Sequence, residues 1–424
     1  MSLPERPRVR PVEAFPVEIR KGEKAIVLRD PLGVTEGMVA LPPAVFALVA
    51  MFDGKKTVVD VQAEWARRTG ELLFAEQIER FLRQLDEVFL LEGERFERAR
   101  KEMERRFHEL EVREAAHAGG AYPAEPARLR EFLGDLWTRA GGPGALPGTA
   151  TGTDRSLVGI VAPHIDPTRG NTAYAWAFDE VAKAGGADLY VIFGTAHQGG
   201  EDLYIFTKKD FETPLGTVAT DRAFVERLET RLGGRPLDRA ELSHRTEHSV
   251  EFEVLFLKYV EERLGRRASP RIVPFICSSF HEFTETGRSP AGRPEVRATI
   301  DALREEIALE RARGTRVCCI AGADLAHIGI KFGHTRFADA AFRRECEEKD
   351  RASLEKAVRS DGEGFFGALA AEKDERNICG LPCMYTMMKV IEPDVKKGSL
   401  LAYGQADDPV AGSVVSFASV GYYG

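Results

Sequence analysis

The stretch Leu157-Val158-Gly159-Ile160-Val161-Ala162 is an apolar run that is rich in β-branched residues. Two later runs, 189–193 and 317–321, have the same character. Runs of this kind are typical of central strands in a parallel sheet, which are buried on both faces. Ligands bind outside the carboxyl ends of such strands. The polar residues that closely follow these runs are His164, His197, Asp324 and His327. The sequence therefore predicts a functional site at one edge of the sheet, formed by separate loops.

Composition places the chain among globular proteins with more than one domain. A chain of 424 residues is longer than one hydrophobic core usually serves. Its composition, with 43% hydrophobic and 30% charged residues, is typical of a soluble globular protein. A formal net charge of -8 argues against a nucleic-acid partner, since binding to phosphate needs a basic surface. We expect no secretory signal and no membrane span, because residues 1–24 are charged and no apolar run is long enough. Six cysteines without a disulfide framework favour the cytoplasm.

Changes in residue pattern divide the chain into four predicted segments. Residues 1–17 are rich in Pro and Arg and are expected to form a flexible arm. Residues 18–97 combine a β-hairpin, three amphipathic helices and a short hairpin wing at 92–97, whereas 98–117 form a charged linker helix. From 118 to 424, strands alternate with helices, and a final pair of β-like runs closes the chain. This alternation favours one α/β domain with a mostly parallel central sheet flanked by helices.

The segment 18–97 resembles the PqqD-like winged-helix modules. The resemblance lies in Leu41-Pro42-Pro43, in the turn Asp53-Gly54-Lys55-Lys56-Thr57 and in the later Phe81-Leu82-Arg83-Gln84-Leu85. It implies a small α+β domain that recognises a peptide and passes it to an enzyme. A helical docking or regulatory domain without a peptide ligand is the alternative. DNA binding is not expected, because acidic and basic residues are almost equally numerous over residues 1–100.

The segment 118–424 resembles the Memo family, because six short motifs occur in the family's order and approximate spacing. These motifs are Ala162-Pro163-His164, Gly194-Thr195-Ala196-His197, Thr213-Pro214-Leu215-Gly216, Glu247-His248-Ser249-Val250-Glu251, Ala323-Asp324-Leu325-Ala326-His327 and Ile378-Cys379-Gly380. The opening 118–123 and the C-terminal Tyr403-Gly404-Gln405 also match. Memo domains are similar in fold to class III extradiol ring-cleaving dioxygenases, which use non-haem iron. The resemblance therefore implies the same mostly parallel α/β architecture.

The resemblance also implies a metal pocket with three ligands and three further polar residues around it. The ligands are His164, His197 and Cys379, and the surrounding residues are Asp324, His327 and His248. His327 is our candidate for acid/base catalysis, since a histidine at a comparable place has this role in the ring-cleaving relatives. Iron is the favoured metal, with copper or zinc as alternatives. Members of the family often accompany a radical-SAM protein and an AMMECR1-like protein, which implies a multi-protein modification system.

The chemistry of these residues independently suits a metal. Two imidazoles and a thiolate suit iron, copper or zinc, and three protein ligands leave coordination positions open for substrate or oxygen. Asp324 and His327 are three residues apart, so the carboxylate is placed to orient an imidazole or raise its basicity. Glu247 and His248 open a predicted helix, whose N-terminus favours negative charge and suits an anionic substrate.

Some positions depart from the commoner Memo pattern and leave the substrate open. Asp166-Pro167 stands where Gly-Tyr is usual, Gln198 replaces a second histidine, and Leu381-Pro382 stands where Arg-His is common. Asp166, two residues from a predicted ligand, is a candidate to coordinate or orient the metal, which would favour iron or manganese. The histidines without motif context are interpreted as surface or capping residues: His108, His117, His281 and His334. His244, four residues before His248, is either a second pocket residue or part of a loop, and the loop is the favoured interpretation.

The leading interpretation is a metal-dependent redox enzyme that acts on a small or peptide-borne substrate delivered by the first domain. A second interpretation is a binding or scaffold protein whose pocket is catalytically silent, because one fold supports binding as well as chemistry. A third is a zinc-dependent hydrolase, with Glu247 or Asp324 as the general base beside a metal-bound water.

Overall fold

The computed structural model describes residues 3–20, 23–35, 37–148, 156–200, 202–266 and 269–424. The chain forms two compact units, which divide between Leu110 and Glu111. The strands described in the first unit are Glu13–Arg20 (β1), Glu23–Arg29 (β2) and Met38–Leu41 (β3), in the antiparallel order β1-β2-β3. Its helices are Pro43–Val49 (α1), Val58–Thr69 (α2), Ala75–Glu87 (α3) and Glu94–Glu109 (α4).

The first unit differs from its prediction at two places. Residues 1–17 were expected to form a flexible arm, but Val9 pairs with Leu91, and the buried Arg10 side chain forms an ion pair with Asp30 at 2.8 Å. A buried guanidinium needs such a partner, so this stretch is anchored to the unit. The wing expected at 92–97 is also wrong, because α4 begins at Glu94, where acidic residues in the first turn favour the helix N-terminus.

The second unit contains the larger sheet and its helices. Its strands are Val112–Arg113 (β4), Leu157–Ala162 (β5), Leu189–Thr195 (β6), Tyr204–Phe206 (β7), Asp210–Phe211 (β8), Ala219–Thr220 (β9), Arg271–Cys277 (β10), Val317–Gly322 (β11), Asp324–Gly329 (β12), Lys397–Asp408 (β13) and Ser413–Tyr423 (β14). Its helices are Pro126–Thr138 (α5), Pro167–Gly170 (α6), Thr172–Lys183 (α7), Arg222–Arg231 (α8), His248–Leu264 (α9), His281–Thr286 (α10), Pro294–Ala312 (α11), Ala340–Val358 (α12), Gly362–Ala371 (α13) and Leu381–Ile391 (α14).

The sheet has the strand order β12-β14-β5-β11-β6-β10-β7, with β13 beside β14 and β9 beside β10. The four central strands, β5, β11, β6 and β10, run parallel to one another. Strand β14 is antiparallel to β5, β12 is antiparallel to β14, and β7 is antiparallel to β10. The register pairs Ala162 with Gly322 and Ala321 with Phe193, so the carboxyl ends of β5, β11 and β6 lie level. The predicted α/β class with a mostly parallel central sheet is confirmed.

Side chains of the central strands alternate between two apolar cores, one on each face of the sheet. Ile160 and Ile192 point into a core that includes residues of α5, α7 and α9. Val161 and Val191 point into the opposite core, with residues of α11, α13 and α14. This three-layer packing explains why the central strands are almost continuously apolar.

Two glycines let α9 begin directly against the sheet. A Cβ atom at Gly194 would lie 2.7 Å from the Ser249 Oγ, and one at Gly322 would collide with the Ser249 carbonyl oxygen. Only glycine permits this close approach of a helix to the strand ends. The first turn of α9 therefore lies at the carboxyl ends of β6 and β11.

Near the predicted site, the structure differs from the sequence analysis in two elements. Asp324 and His327 were expected in a loop, but they belong to β12, an outer strand that pairs with β14. Helix α14 begins two residues after Cys379 and is absent from the prediction. Leu381-Pro382 resembles a helix break, yet proline is tolerated in the first turn because its missing N–H would be unpaired there anyway.

Candidate metal centre

Three side chains from separate elements converge at the carboxyl edge of the sheet. His164 follows β5, His197 follows β6, and Cys379 precedes α14. Their ligand atoms all lie within 4.8 Å of one another. The Cys379 Sγ is 3.2 Å from the His164 Nε2, and the two imidazole rings meet edge to face with 4.9 Å between centroids. The cluster is compact enough for one ion with metal–ligand bonds of about 2.0–2.3 Å.

Hydrogen bonds fix the orientation of the buried His164. Its Nδ1 lies 2.8 Å from the carbonyl oxygen of Gly322, and its backbone N–H donates to the Asp324 Oδ1 at 3.0 Å. Because a carbonyl oxygen only accepts, Nδ1 carries the proton and Nε2 presents its lone pair to the cluster. Burial and the neighbouring His197 lower the pKa of His164 to about 3, so the imidazole is neutral near pH 7.

A carboxylate orients His197 in a similar way. The His197 Nδ1 lies 3.0 Å from the Glu247 Oε1, and the His197 backbone N–H donates to the Glu247 Oε2 at 3.0 Å. A carboxylate on one imidazole nitrogen makes the other a more basic metal ligand. Burial alone would raise the pKa of Glu247, but the neighbouring imidazoles and its hydrogen bonds hold that pKa well below its usual range. Glu247 is therefore ionised at neutral pH.

A second group of possible ligand atoms comprises His197, Glu247 and His248, again within 4.8 Å of one another. Glu247, however, is also the N-cap of α9 and accepts the backbone N–H groups of His248 and Ser249 at 2.9 and 3.0 Å. With the two bonds to His197, its carboxylate receives four N–H donors, three on Oε1 and one on Oε2. Glu247 is thus better suited to orienting His197 than to binding an ion.

The Cys379 side chain completes the first group. Burial and the nearby Asp324 carboxylate raise the pKa of its thiol well above the usual range, so the sulfur is protonated when no cation lies beside it. A metal ligand must be the thiolate, and metal binding at this cysteine therefore releases a proton.

The structure places the three residues predicted around the pocket, His248, Asp324 and His327, in three different surroundings. The His248 ring stacks on His197 with 4.6 Å between centroids, and it lies 5.4 Å from the His164 ring. Asp324 is buried beneath His164, with its Oδ2 at 3.7 Å from the His164 Nε2, and burial raises its pKa to about 6. His327 does not belong to either group of ligand atoms; its Nδ1 lies 3.1 Å from its own strand's Leu325 carbonyl oxygen.

His327 has the properties of a proton acceptor. Because Nδ1 is held by a carbonyl oxygen, the ring proton lies there and Nε2 carries the lone pair. Burial lowers the pKa of His327 to about 4, with the Asp324 carboxylate acting in the opposite direction, so the ring is neutral at pH 7. The ring of Phe332 packs edge-on against it at 4.9 Å.

The structure differs from the sequence interpretation at His117 and Arg113, and it shows the surroundings of Asp166, whose role was left open. His117, interpreted as a surface or capping residue, has its ring 5.8 Å from that of His248. Arg113 was not singled out, yet its fully buried side chain donates to the Glu247 carbonyl oxygen. The Asp166 side chain caps α6 and accepts hydrogen bonds from the Thr168 hydroxyl and the Arg169 backbone N–H. Among the described residues, it belongs to neither group of possible ligand atoms. The only signal for Arg113 and His117 was their nearness to the Ala118-Gly119-Gly120 motif.

The centre opens towards solvent on one side. The His197 and His248 side chains are 34% and 29% exposed, whereas His164 is 1% exposed. A small molecule can therefore approach from the side of His197 and His248. A metal ion held by these three side chains would keep coordination positions for such a molecule.

Comparisons with known proteins agree with this architecture. The family model described as Memo-like protein matches residues 113–421. A MEMO1 family protein of Aquifex aeolicus is 27% identical over 419 residues, which cover 99% of this chain and 100% of the relative. One from Methanopyrus kandleri is 31% identical over 73% of this chain and 98% of its own length, and one from Thermus thermophilus is 26% identical over 82% and 93%.

The Aquifex match includes the first unit, whereas the family model begins at Arg113, close to the boundary between the units. No helix in the described part of the chain combines the length and the apolar character needed to cross a bilayer. The order of the sequence motifs, the mostly parallel sheet and the extent of the family match lead to one conclusion: the chain belongs to the Memo family.

Proposed function

We propose that this protein is a metal-dependent redox enzyme with one transition-metal ion held by His164, His197 and Cys379. The observation that carries the proposal is the convergence of these three ligand atoms within 4.8 Å at the carboxyl edge of the sheet. Both imidazoles are oriented by hydrogen bonds before any ion arrives, so binding costs little reorganisation.

The donor set fits a transition metal. Two imidazoles and a thiolate are borderline to soft ligands that suit iron, copper or zinc, and iron is the metal we favour. Such an ion supplies Lewis acidity and, for iron or copper, electron transfer at the open coordination positions. The protein's own groups hold and orient: the Gly322 carbonyl oxygen fixes His164, and the Glu247 carboxylate fixes His197.

Proton transfer is assigned to His327. Its neutral ring presents Nε2 as an acceptor, and the neighbouring Asp324 carboxylate stabilises the imidazolium that forms. A zinc-dependent hydrolase with Glu247 as the general base is less well supported, because that carboxylate is engaged by four N–H donors, three of them on Oε1, and serves as the N-cap of α9. Asp324 is the one remaining carboxylate of the two considered for that role.

We also propose that the first unit recognises a peptide or protein partner. Strand β1 is an outer strand of the small sheet, and Ile19 on it is 55% exposed. An outer strand accepts an extended peptide through main-chain hydrogen bonds. The radical-SAM and AMMECR1-like partners stay predictions from the family resemblance.

Elemental analysis after anaerobic purification tests the metal. We expect about one equivalent of iron, copper or zinc in the wild type, and its loss in the double variant His164→Ala/His197→Ala. The matched control is His108→Ala/His281→Ala, which removes two exposed histidines and should keep the metal. Stoichiometric metal in a folded His164→Ala/His197→Ala protein would contradict the proposal.

A further inference from the structure

We infer that Arg113 is a positioning residue for the metal centre: it holds the loop that carries Glu247, and through Glu247 it sets the orientation of His197. This inference rests on the proposed function. Arg113 lies in β4, which pairs in parallel with β8, and its side chain is fully buried (0% exposed). No motif identified in the sequence includes it.

The Arg113 guanidinium donates hydrogen bonds to both ends of the loop before α9. Its Nε donates to the His244 carbonyl oxygen at 3.0 Å, and its Nη2 donates to the Glu247 carbonyl oxygen at 2.8 Å. Only Arg245 and Thr246 lie between these two carbonyl groups. A planar fork of donors with a fixed geometry therefore sets the path of the loop that delivers the Glu247 carboxylate.

The same guanidinium is held in place from the other side. Glu251, in the first turn of α9 and 1% exposed, forms an ion pair with the Arg113 Nη1 and accepts the Tyr122 hydroxyl. Its Oε1 also accepts the His117 backbone N–H at 2.9 Å, while the His117 Nε2 lies 3.0 Å from the Thr246 carbonyl oxygen. The segment 113–122 thus contacts three carbonyl groups of the loop, on His244, Thr246 and Glu247.

The path from Arg113 to the centre is short and continuous. Arg113 fixes the backbone of Glu247, and the two oxygens of Glu247 then hold the backbone and the Nδ1 of His197. Hydrogen bonds from a charged donor inside a protein are strong and directional, so the loop has little freedom while the arginine is present. Without the fork, the carboxylate can shift, and the His197 Nε2 shifts with it.

Cobalt(II) is a suitable probe, because its ligand-field spectrum reports the geometry of the ligands as well as their occupancy. The full chain is titrated with Co²⁺ under anaerobic conditions as wild type, Arg113→Lys and Arg113→Met. Lysine keeps a charge beside Glu251 but lacks the fork that reaches both carbonyl groups. Arg266→Met is the matched control, since Arg266 is also a largely buried arginine and pairs with Glu261 near the other end of α9.

We expect both Arg113 variants to bind Co²⁺ at least about tenfold more weakly and with an altered ligand-field spectrum, as for other residues behind a metal ligand. The control Arg266→Met should keep the wild-type affinity for Co²⁺ and the wild-type spectrum. In the double variant Arg113→Met/Glu247→Ala, Co²⁺ should bind no more weakly than in Glu247→Ala alone, because the arginine acts through that carboxylate.

Wild-type affinity and spectrum in a folded Arg113→Lys protein would overturn the inference, and this variant decides the matter if Arg113→Met does not fold. Fully additive losses in the double variant would also overturn it, because Arg113 would then act by a route other than Glu247. A wild type that binds no Co²⁺ would instead refute the proposed function, and this inference with it.

Discussion

Glu253 is a buried carboxyl group on α9, beside one of the glycines at which that helix meets the sheet. Its side chain is 0% exposed, and neither oxygen has a hydrogen-bond partner among the described residues. It packs against Gly322, whose carbonyl oxygen orients His164. Burial and the neighbouring Asp324 raise the pKa of Glu253 well above its ordinary range. The substitution Glu253→Gln keeps the size of the side chain but removes the titrating group.

The sign of the effect follows from proton binding. A raised pKa means that the native state keeps the Glu253 proton at pH values where the unfolded chain has lost it. The native state is therefore penalised progressively as pH rises above about 4.5, by about 1.4 kcal/mol per pH unit while the group stays protonated. A glutamine side chain cannot titrate, so the free energy of unfolding of Glu253→Gln relative to wild type should rise with pH above about 4.5, at a slope that approaches about 1.4 kcal/mol per pH unit.

Urea denaturation at several pH values measures this difference. Two of the three tryptophans, Trp137 and Trp176, lie in the second unit, so a Trp65→Phe background makes fluorescence report that unit alone. The matched control is Glu306→Gln, because Glu306 is equally buried but pairs with Arg227 and Arg231. Those arginines outweigh burial and lower the pKa of Glu306, so the control should lose stability at neutral pH and approach wild type in acid.

Parallel pH profiles for wild type and Glu253→Gln would refute the reasoning. They would mean that Glu253 keeps an ordinary pKa in the folded state and is therefore solvated or paired. The slope with pH is the decisive quantity, since a buried amide has its own constant cost that does not depend on pH.

Two further predictions concern function. Replacing His327 by Ala should lower turnover about 10²–10⁴-fold while metal content stays near wild type, and Asp324→Asn should lower turnover by a smaller factor. Turnover is measured as oxygen consumption, and metal content is measured by elemental analysis. Metal loss or unchanged turnover in His327→Ala would end the acid/base assignment. For the first unit, we expect the full chain to bind a peptide encoded near its gene, and Ile19→Asp to weaken that binding. Val410→Asp, which changes a 94% exposed residue of the other unit, should leave the binding unchanged. Fluorescence anisotropy with labelled peptide and labelled duplex DNA tests this, and salt-sensitive binding of DNA alone would contradict it.

The predictions from sequence were most reliable where a local pattern reflects a local cause. The runs at β5, β6 and β11 are almost continuously apolar because both faces of a central strand are buried, and the structure confirms their bounds almost to the residue. Parallel strands bring their carboxyl ends to one edge, so His164 and His197 were expected to meet there. Cys379 was reached only through the family resemblance, because α14 begins with Leu381-Pro382 and its start was not recognised.

The sequence by itself thus determined the central strands, the class of the sheet and the edge at which the candidate centre lies. Only the tertiary structure decided which nitrogen of each imidazole faces the centre, through Gly322 for His164 and Glu247 for His197. It also decided that Arg113 contacts the Glu247 carbonyl group, across 134 positions of sequence. The physical reason is that periodicity and composition record whether a residue is buried, whereas a hydrogen bond depends on the direction of atoms that only the folded chain brings together.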